Sequence, residues 1–367
     1  MIKASHSAAA LVLATACLEP ATSADLESCD RPITSLRMNE LQSIGSHNSY
    51  KLAIPEIELG VIRRQEPELA SALDYSHISL TAQLDLGMRQ LELDIFHDPD
   101  GGRFADPLLP RLASANGDGD PFDATGHDTP GLKVMHIQDI DQRSHCVLLT
   151  ECLNEINTWS LANPEHTPIL ILINAKQAQI DIPGAAEALP FDATAFSDLD
   201  AEIRSIFTGD RLITPDTVRD NAATLREGVL GTGWPSLDDG QGRILFALDE
   251  PPKVVETYMR GKASLEGLPL FVNTIDPQAD HVAYFTINDP EADNERIKQA
   301  VADGFLVRTR ADADTVEART NDRSRIEAAL SSGAQYISTD YYLPRTDFGA
   351  YHVSLPGNAV TRCTASD

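Results

Sequence analysis

Short runs rich in β-branched and aliphatic residues recur along the chain with helix-like stretches between them: Leu41–Ile44, Gln90–Ile95, Leu132–Ile137, Pro168–Ile173, Arg243–Leu248, Leu268–Val272, Phe305–Val307 and Tyr336–Ser338. Strands that alternate with helical segments build parallel β-α units, and eight of them predict a (β/α)8 TIM barrel. A ninth run, Ala283–Ile287, competes for one of the eight places. There is no internal repeat, heptad pattern or low-complexity tract, so a single barrel domain is expected over residues 25–367, with 345–367 as an extended tail.

The first 24 residues read separately. Lys3, the apolar run Ala8 to Ala16 and the small residues Ala21-Thr22-Ser23-Ala24 form the three parts of a secretory signal, with cleavage expected after Ala24. A rival reading makes Cys17 a lipid-attachment site, against which Ala14 stands where a large aliphatic residue is usual. The apolar run is far shorter than the ~20 residues a membrane span needs. The expectation is therefore a secreted or periplasmic protein, and a monomer.

Behind such a signal, an even number of cysteines favours disulfides over metal thiolates. Cys29, Cys146, Cys152 and Cys363 remain, and the expected pairs are Cys146–Cys152, close in sequence, and Cys29–Cys363, at the two ends. In a closed barrel the first and last strands are neighbours, so the second bridge would staple the closure. The formal net charge of −27 repels nucleic acid and anionic bilayers. An anionic substrate must then be held locally, by a metal ion or a few arginines. Asn116-Gly117-Asp118-Gly119-Asp120 begins like a calcium loop but meets Pro121 and His127 where a glycine and a glutamate are needed, so it reads as a surface insertion.

Barrel enzymes work at the carboxyl ends of their strands, which makes polar residues there candidates. His47 and Asn48 follow the first predicted strand, in Ile44-Gly45-Ser46-His47-Asn48-Ser49-Tyr50. Glu92 and Asp94, two apart on the second, share one face, with Leu91, Leu93 and Ile95 on the other. Two carboxylates facing a barrel interior need a cation between them, and hard oxygen ligands favour calcium or magnesium. His136 ends the third predicted strand, Asn174 and Lys176 the fourth, Arg308 and Arg310 follow the seventh and Asp340 the eighth. Arginines at a mouth full of acids suit a phosphate-bearing substrate.

With these residues in place the chain resembles the phosphatidylinositol-specific phospholipases C, most closely their calcium-dependent bacterial branch. The resemblance is carried by His47-Asn48-Ser49-Tyr50, Leu73-Asp74-Tyr75-Ser76-His77 with Leu80–Leu84, Arg89-Gln90-Leu91-Glu92-Leu93-Asp94, Gly131–His136, Val307–Asp314 and Tyr336–Tyr341, almost the whole chain after the signal. It implies catalytic histidines at His47 and His136, and a Ca2+ site of Asn48, Glu92, Asp94 and Asn174. Asn174 stands where the eukaryotic relatives have a glutamate. Lys176, Arg308 and Arg310 are expected to meet the substrate phosphate or head group.

The resemblance further implies attack by the inositol 2-hydroxyl on its own phosphodiester, releasing diacylglycerol and a cyclic inositol phosphate. Glu92, or a nearby carboxylate, is expected to take the hydroxyl proton, His47 to hydrogen-bond the phosphoryl oxygens and His136 to protonate the glycerol oxygen, with the two histidines open to exchange. The expected partners are a phosphoinositide lipid or glycerophosphoinositol, with transient membrane contact. Glycerophosphodiester phosphodiesterases and sphingomyelinase-D-like enzymes share the barrel, although the former usually carry His-Arg-Gly where this chain has His47-Asn48-Ser49. A non-catalytic secreted binder of inositol phosphates or glycans is the third reading. There is no Gly-x-Ser-x-Gly elbow, His-Glu-x-x-His helix or glycine-rich phosphate loop.

Overall fold

The computed structural model describes residues 35–115 and 121–364. The expected signal segment, Cys17, Cys29 and the insertion 116–120 lie outside them.

Ten strands form one sheet: β1 Leu41–Ser46, β2 Gln90–Asp98, β3 Gly131–Val134, β4 Ile169–Ala175, β5 Ile244–Leu248, β6 Leu270–Val272, β7 Tyr284–Thr286, β8 Leu306–Arg310, β9 Tyr336–Thr339 and β10 Thr361–Cys363. Their order is β6-β5-β4-β2-β1-β9-β8-β7, all parallel along this path, with β3 and β10 attached antiparallel to β2 and β1. The ends of the path meet through a bridge between Asn273 and Tyr284, so eight parallel strands make a nearly closed barrel. The side chain of Asn273 completes the seam by accepting the Thr286 N–H at 2.9 Å.

The barrel count of eight is met, but by a different set. The run 132–137 is not a barrel strand, and Tyr284–Thr286 takes its place. The cause is the length of β2. Its residues Gln90–Ile95 pair with β4, while Phe96, His97 and Asp98 overhang the barrel and would leave backbone groups unpaired. β3 pairs with Ile95 and this overhang, Ile95 opposite Val134 and Asp98 opposite Gly131, and Lys133 within β3 is buried 3.3 Å from Asp98.

The core follows from composition at strand positions. Ile169 to Ile173 are completely buried, as expected of a parallel strand covered on both faces. Gly45 lies opposite Gln90, where a Cβ would come within 2.4 Å of the glutamine side chain. That close approach places the end of β1 against β2. Outside the barrel, the helix Leu149–Ala162 buries Leu149, Cys152, Leu153, Ile156 and Trp159, a helical stripe facing the sheet. The disulfide Cys146–Cys152 ties its first turns to the segment that follows β3. β10 brings the tail back to the first strand, Cys363 opposite Leu41, and Cys363 is disulfide-bonded. Among the described residues no helix is long and apolar enough to cross a membrane.

Candidate active site

β1 ends at Ser46, and the chain turns at once. Asn48 has φ of 47°, in the left-handed region that asparagine tolerates better than most residues. The turn is clamped to β2: Ser49 Oγ accepts the Glu92 N–H at 2.8 Å, and the Ser49 N–H donates to the Glu92 carbonyl at 3.0 Å. Ser46 Oγ, 2.6 Å from Ser49 Oγ, donates to Gln83. The serines around His47-Asn48 thus set these two residues beside Glu92.

Glu92 and Asp94 share the inward face of β2, while Leu91, Leu93 and Ile95 are wholly buried on the other. The register of β2 on β4 sets Asn174 opposite Asp94, and its Nδ2 donates to Glu92 at 2.9 Å and to Asp94 at 3.0 Å. Arg308 reaches across the barrel to Glu92 at 2.5 Å, and Lys176 lies 3.1 Å from Asp94. The cations that the two carboxylates require are therefore present as side chains. Lys176 and Arg308, expected at the substrate phosphate, are counterions of the acids in this arrangement, and Arg308 also donates to Asn288.

Among the described residues no group of three or more His, Cys, Asp or Glu surrounds a cation position. A mixed oxygen set is nevertheless present. Asn48 is buried, its Nδ2 donates to Tyr75 at 2.8 Å, and its Oδ1 has no hydrogen-bond partner. A buried carbonyl oxygen left without a donor costs about 1–3 kcal/mol, which a hard cation would relieve. With Glu92, Asp94 and Asn174, Asn48 fits a hard divalent ion, provided Arg308 or Lys176 yields part of its hold on the carboxylates.

Each candidate histidine is oriented by a carboxylate. His47 donates from Nδ1 to Asp340 at 2.9 Å, while its Nε2 lies 3.4 Å from Arg310 and 3.9 Å from Glu92. Burial first, then the Arg310 charge, holds its pKa well below the usual histidine value, with Glu92 opposing. The ring is thus neutral near pH 7, with its Nε2 lone pair turned to Arg310 at 3.4 Å, a long contact that a substrate hydroxyl could replace. Arg310 also reaches Asp340 at 3.2 Å. Behind them Asp312 accepts hydrogen bonds from Thr339 Oγ1, Tyr351 Oη and the Asp340 N–H, and burial, then the Asp340 charge, pushes it up to about 7. His77 braces the turn, donating from Nε2 to the His47 carbonyl at 2.7 Å.

His136 follows β3, beyond the barrel proper, and donates from Nδ1 to Asp141 at 2.9 Å. Its place at the mouth comes from the hairpin that overhangs β2, and not from a third barrel strand as the sequence pattern suggests. Asp141 is reached because the chain doubles back, with its own N–H on the Ile137 carbonyl and its carbonyl accepting the His136 N–H. Sequence reasoning assigned no role to Asp141, Asp312, Tyr75 or Lys51, since a turn that returns a carboxylate five residues later has no periodic signature. Asp340 was placed at the eighth strand end, but its pairing with His47, 293 positions away, is a tertiary fact.

The model of the family described as phosphoinositide phospholipase C, Ca2+-dependent, matches residues 36–365. Among solved structures, a calcium-dependent phosphoinositol-specific phospholipase C from a Gram-negative bacterium, Pseudomonas sp, is similar with 17% identity and a TM-score of 0.58, over 94% of this chain and all (100%) of that one. A Ca2+-dependent phosphatidylinositol-specific phospholipase C from Streptomyces antibioticus is similar with 17% identity and a TM-score of 0.52, over 84% of this chain and 96% of that one. At such identities the two structures speak for the barrel fold. None of the curated proteins compared with the chain is significantly similar to it.

Proposed function

The chain belongs to the Ca2+-dependent phosphoinositide phospholipase C family, and on that premise we propose that it cleaves phosphatidylinositol-type lipids to diacylglycerol and a cyclic inositol phosphate. The observation that carries this reading is the pair of histidine–carboxylate units, His47–Asp340 and His136–Asp141, at a mouth that also holds Glu92 and Asp94.

His47, neutral and held with its proton on Nδ1, presents Nε2 as the base that takes the proton of the inositol 2-hydroxyl. The Glu92 oxygens are already engaged, by Arg308 at 2.5 Å and by Asn174 Nδ2 at 2.9 Å. This assigns the base role to His47 in place of Glu92. His136, with Nδ1 held on Asp141 at 2.9 Å, donates from Nε2 in its protonated form to the departing glycerol oxygen, so one proton is taken up and one is released per cleavage. Arg310, 3.4 Å from His47 Nε2, would meet the phosphoryl oxygens beside the reacting hydroxyl. Asn48, Glu92, Asp94 and Asn174 would hold Ca2+, which when bound lowers the hydroxyl pKa and offsets charge on the phosphoryl group.

Among the described residues, the exposed large hydrophobics include Leu69, Ile275, Val316 and Leu343, in the segments that follow β1, β6, β8 and β9, and the carboxyl ends of the strands are the active-site end of a barrel of this kind. Exposed apolar side chains in these segments would suit transient contact with a lipid surface, to which a chain of net charge −27 has little electrostatic attraction. The protein is read as an exported monomer.

Phosphorus NMR of phosphatidylinositol vesicles incubated with the protein, in calcium and in chelator, tests the reading. A cyclic phosphodiester resonance that requires calcium and is lost in His47→Ala and His136→Ala is expected. No product from any inositol lipid refutes it.

A further inference from the structure

Lys51 is completely buried two residues after Ser49. An ammonium group taken out of water needs a strong local reason. Its Nζ donates to the Tyr75 carbonyl at 2.8 Å and the Leu73 carbonyl at 3.0 Å, and lies 4.6 Å from the Tyr75 ring centroid. It is also 3.3 Å from Oδ2 of Asp141, the same oxygen that accepts from His136. The other oxygen of Asp141, Oδ1, is buried with no hydrogen-bond partner. The segment is fixed from both sides, by the Lys51–Ser144 bridge and by the Leu52 N–H on the Arg143 carbonyl.

An equivalent unit stands across the mouth, where Arg310 backs Asp340, which orients His47. Each histidine is thus followed by a carboxylate and then by a cation. A half-satisfied carboxylate in a dry site would take up a proton if the cation were absent, and would then donate it to His136 Nδ1. The neutral ring would keep its hydrogen on Nε2, where without the imidazolium charge it is too weak an acid to give a proton to the leaving oxygen. We propose that Lys51 is a positioning residue of the active site: by holding Asp141 ionised it fixes the Nδ1 proton of His136 and sets the acidity of Nε2. This rests on the role given above to His136 as proton donor.

Electrostatics supports the geometry. Burial alone would raise Asp141, yet its pKa lies below the usual aspartate value, chiefly through the Lys51 charge and the His136 contact. The charged or titratable groups that interact with these three include His47 and Asp340 for His136, Tyr50 and Tyr75 for Asp141, and Tyr75, His77 and Asp340 for Lys51.

The test is the titration of His136 by NMR of protein carrying 15N-labelled histidine, in chelator, with the resonance assigned from its loss in His136→Asn. Asp141→Asn removes a negative neighbour and should lower the His136 pKa by roughly one unit or more. Lys51→Met removes a positive neighbour and should raise the upper titration of the His136–Asp141 pair by roughly half to one unit, with nitrogen shifts moving toward the Nε2–H tautomer above it. The alkaline limb of the kcat/KM profile should move the same way. Lys51→Gln, which can still donate to the Tyr75 carbonyl, is the second variant. A His136 titration and tautomer unchanged in both neutral variants would mean that Lys51 only holds the loop, and would overturn the proposal. If neither variant folds, the 13C titration of the wild-type Asp141 carboxyl decides: a value below the ordinary aspartate range supports it, and one at or above that range sinks it. Failure of the phospholipase reading appears separately, as no turnover of phosphatidylinositol by the wild type while the Lys51 variants shift the His136 titration and tautomer as expected.

Discussion

Replacing Arg308 with methionine removes the charge that answers Glu92 without opening a large cavity, and its cost can be worked from the geometry. The guanidinium is almost completely buried, 2.5 Å from Glu92 Oε2, and its other hydrogen bond goes to Asn288. Taking the charge centres as ~4 Å apart and an effective dielectric near 20, the attraction is about 4 kcal/mol. That falls within the roughly 3–5 kcal/mol by which breaking a buried pair usually destabilises. For a domain of this size the loss corresponds to a drop in Tm of about 6 °C. Thermal unfolding in chelator should show it, and calcium should then restore more stability to Arg308→Met than it adds to the wild type, since the freed Glu92 favours a cation. At a hundredfold excess over Kd the restored stability would be about 2.7 kcal/mol. Adding Glu92→Gln should recover most of the loss in chelator and abolish the extra response to calcium. Equal stability of wild type and Arg308→Met in chelator, or equal gains from calcium, would refute the view that Arg308 and the metal compete for Glu92.

Asp340→Asn keeps the shape of the site but no longer holds the His47 proton on Nδ1, so kcat should fall by roughly 10²–10⁴-fold while Tm changes little, as steady-state kinetics and calorimetry on one preparation would show. Glu250 accepts the Ala175 N–H, and burial pushes its pKa up to about 8. Because the folded value lies above the unfolded one, ionisation disfavours the native state: stability is greatest below the ordinary glutamate value and falls as pH rises to about 8. The difference in urea-unfolding free energy between wild type and Glu250→Gln should therefore drift by up to about 4 kcal/mol between pH 4.5 and 8 and level off above, and a constant difference would contradict the assignment. Ile275, 70% exposed in the segment after β6, should matter only at a lipid surface. Ile275→Asp is expected to weaken cleavage of vesicles several-fold while leaving a short-chain monomeric substrate unaffected, and equal losses on both would argue against a membrane-facing rim.

Much of the architecture was legible in the chain because it is written in local periodicity. The aliphatic run Ile169 to Ile173 can only be a strand covered on both faces, and the alternation through Leu91-Glu92-Leu93-Asp94-Ile95 fixes which side chains face inward whatever surrounds them. The Ser-rich turn with His47 and Asn48, and the Cys146–Cys152 spacing, were readable for the same reason. Periodicity did not say which run joins the barrel, since that depends on how far β2 extends past its neighbours, and so the place of β3 was misjudged and that of Tyr284–Thr286 left open. Nor did it say how the acids are answered. The need for positive charge near Glu92 and Asp94 follows from two carboxylates on one inward face, and the sequence alone determined it. Whether a metal, Arg308 or Lys176 meets that need, and which carboxylate orients each histidine, was decided by side chains that converge from strands up to hundreds of residues apart. The tertiary structure decided it because only closing the barrel brings those charges within a few ångströms of each other.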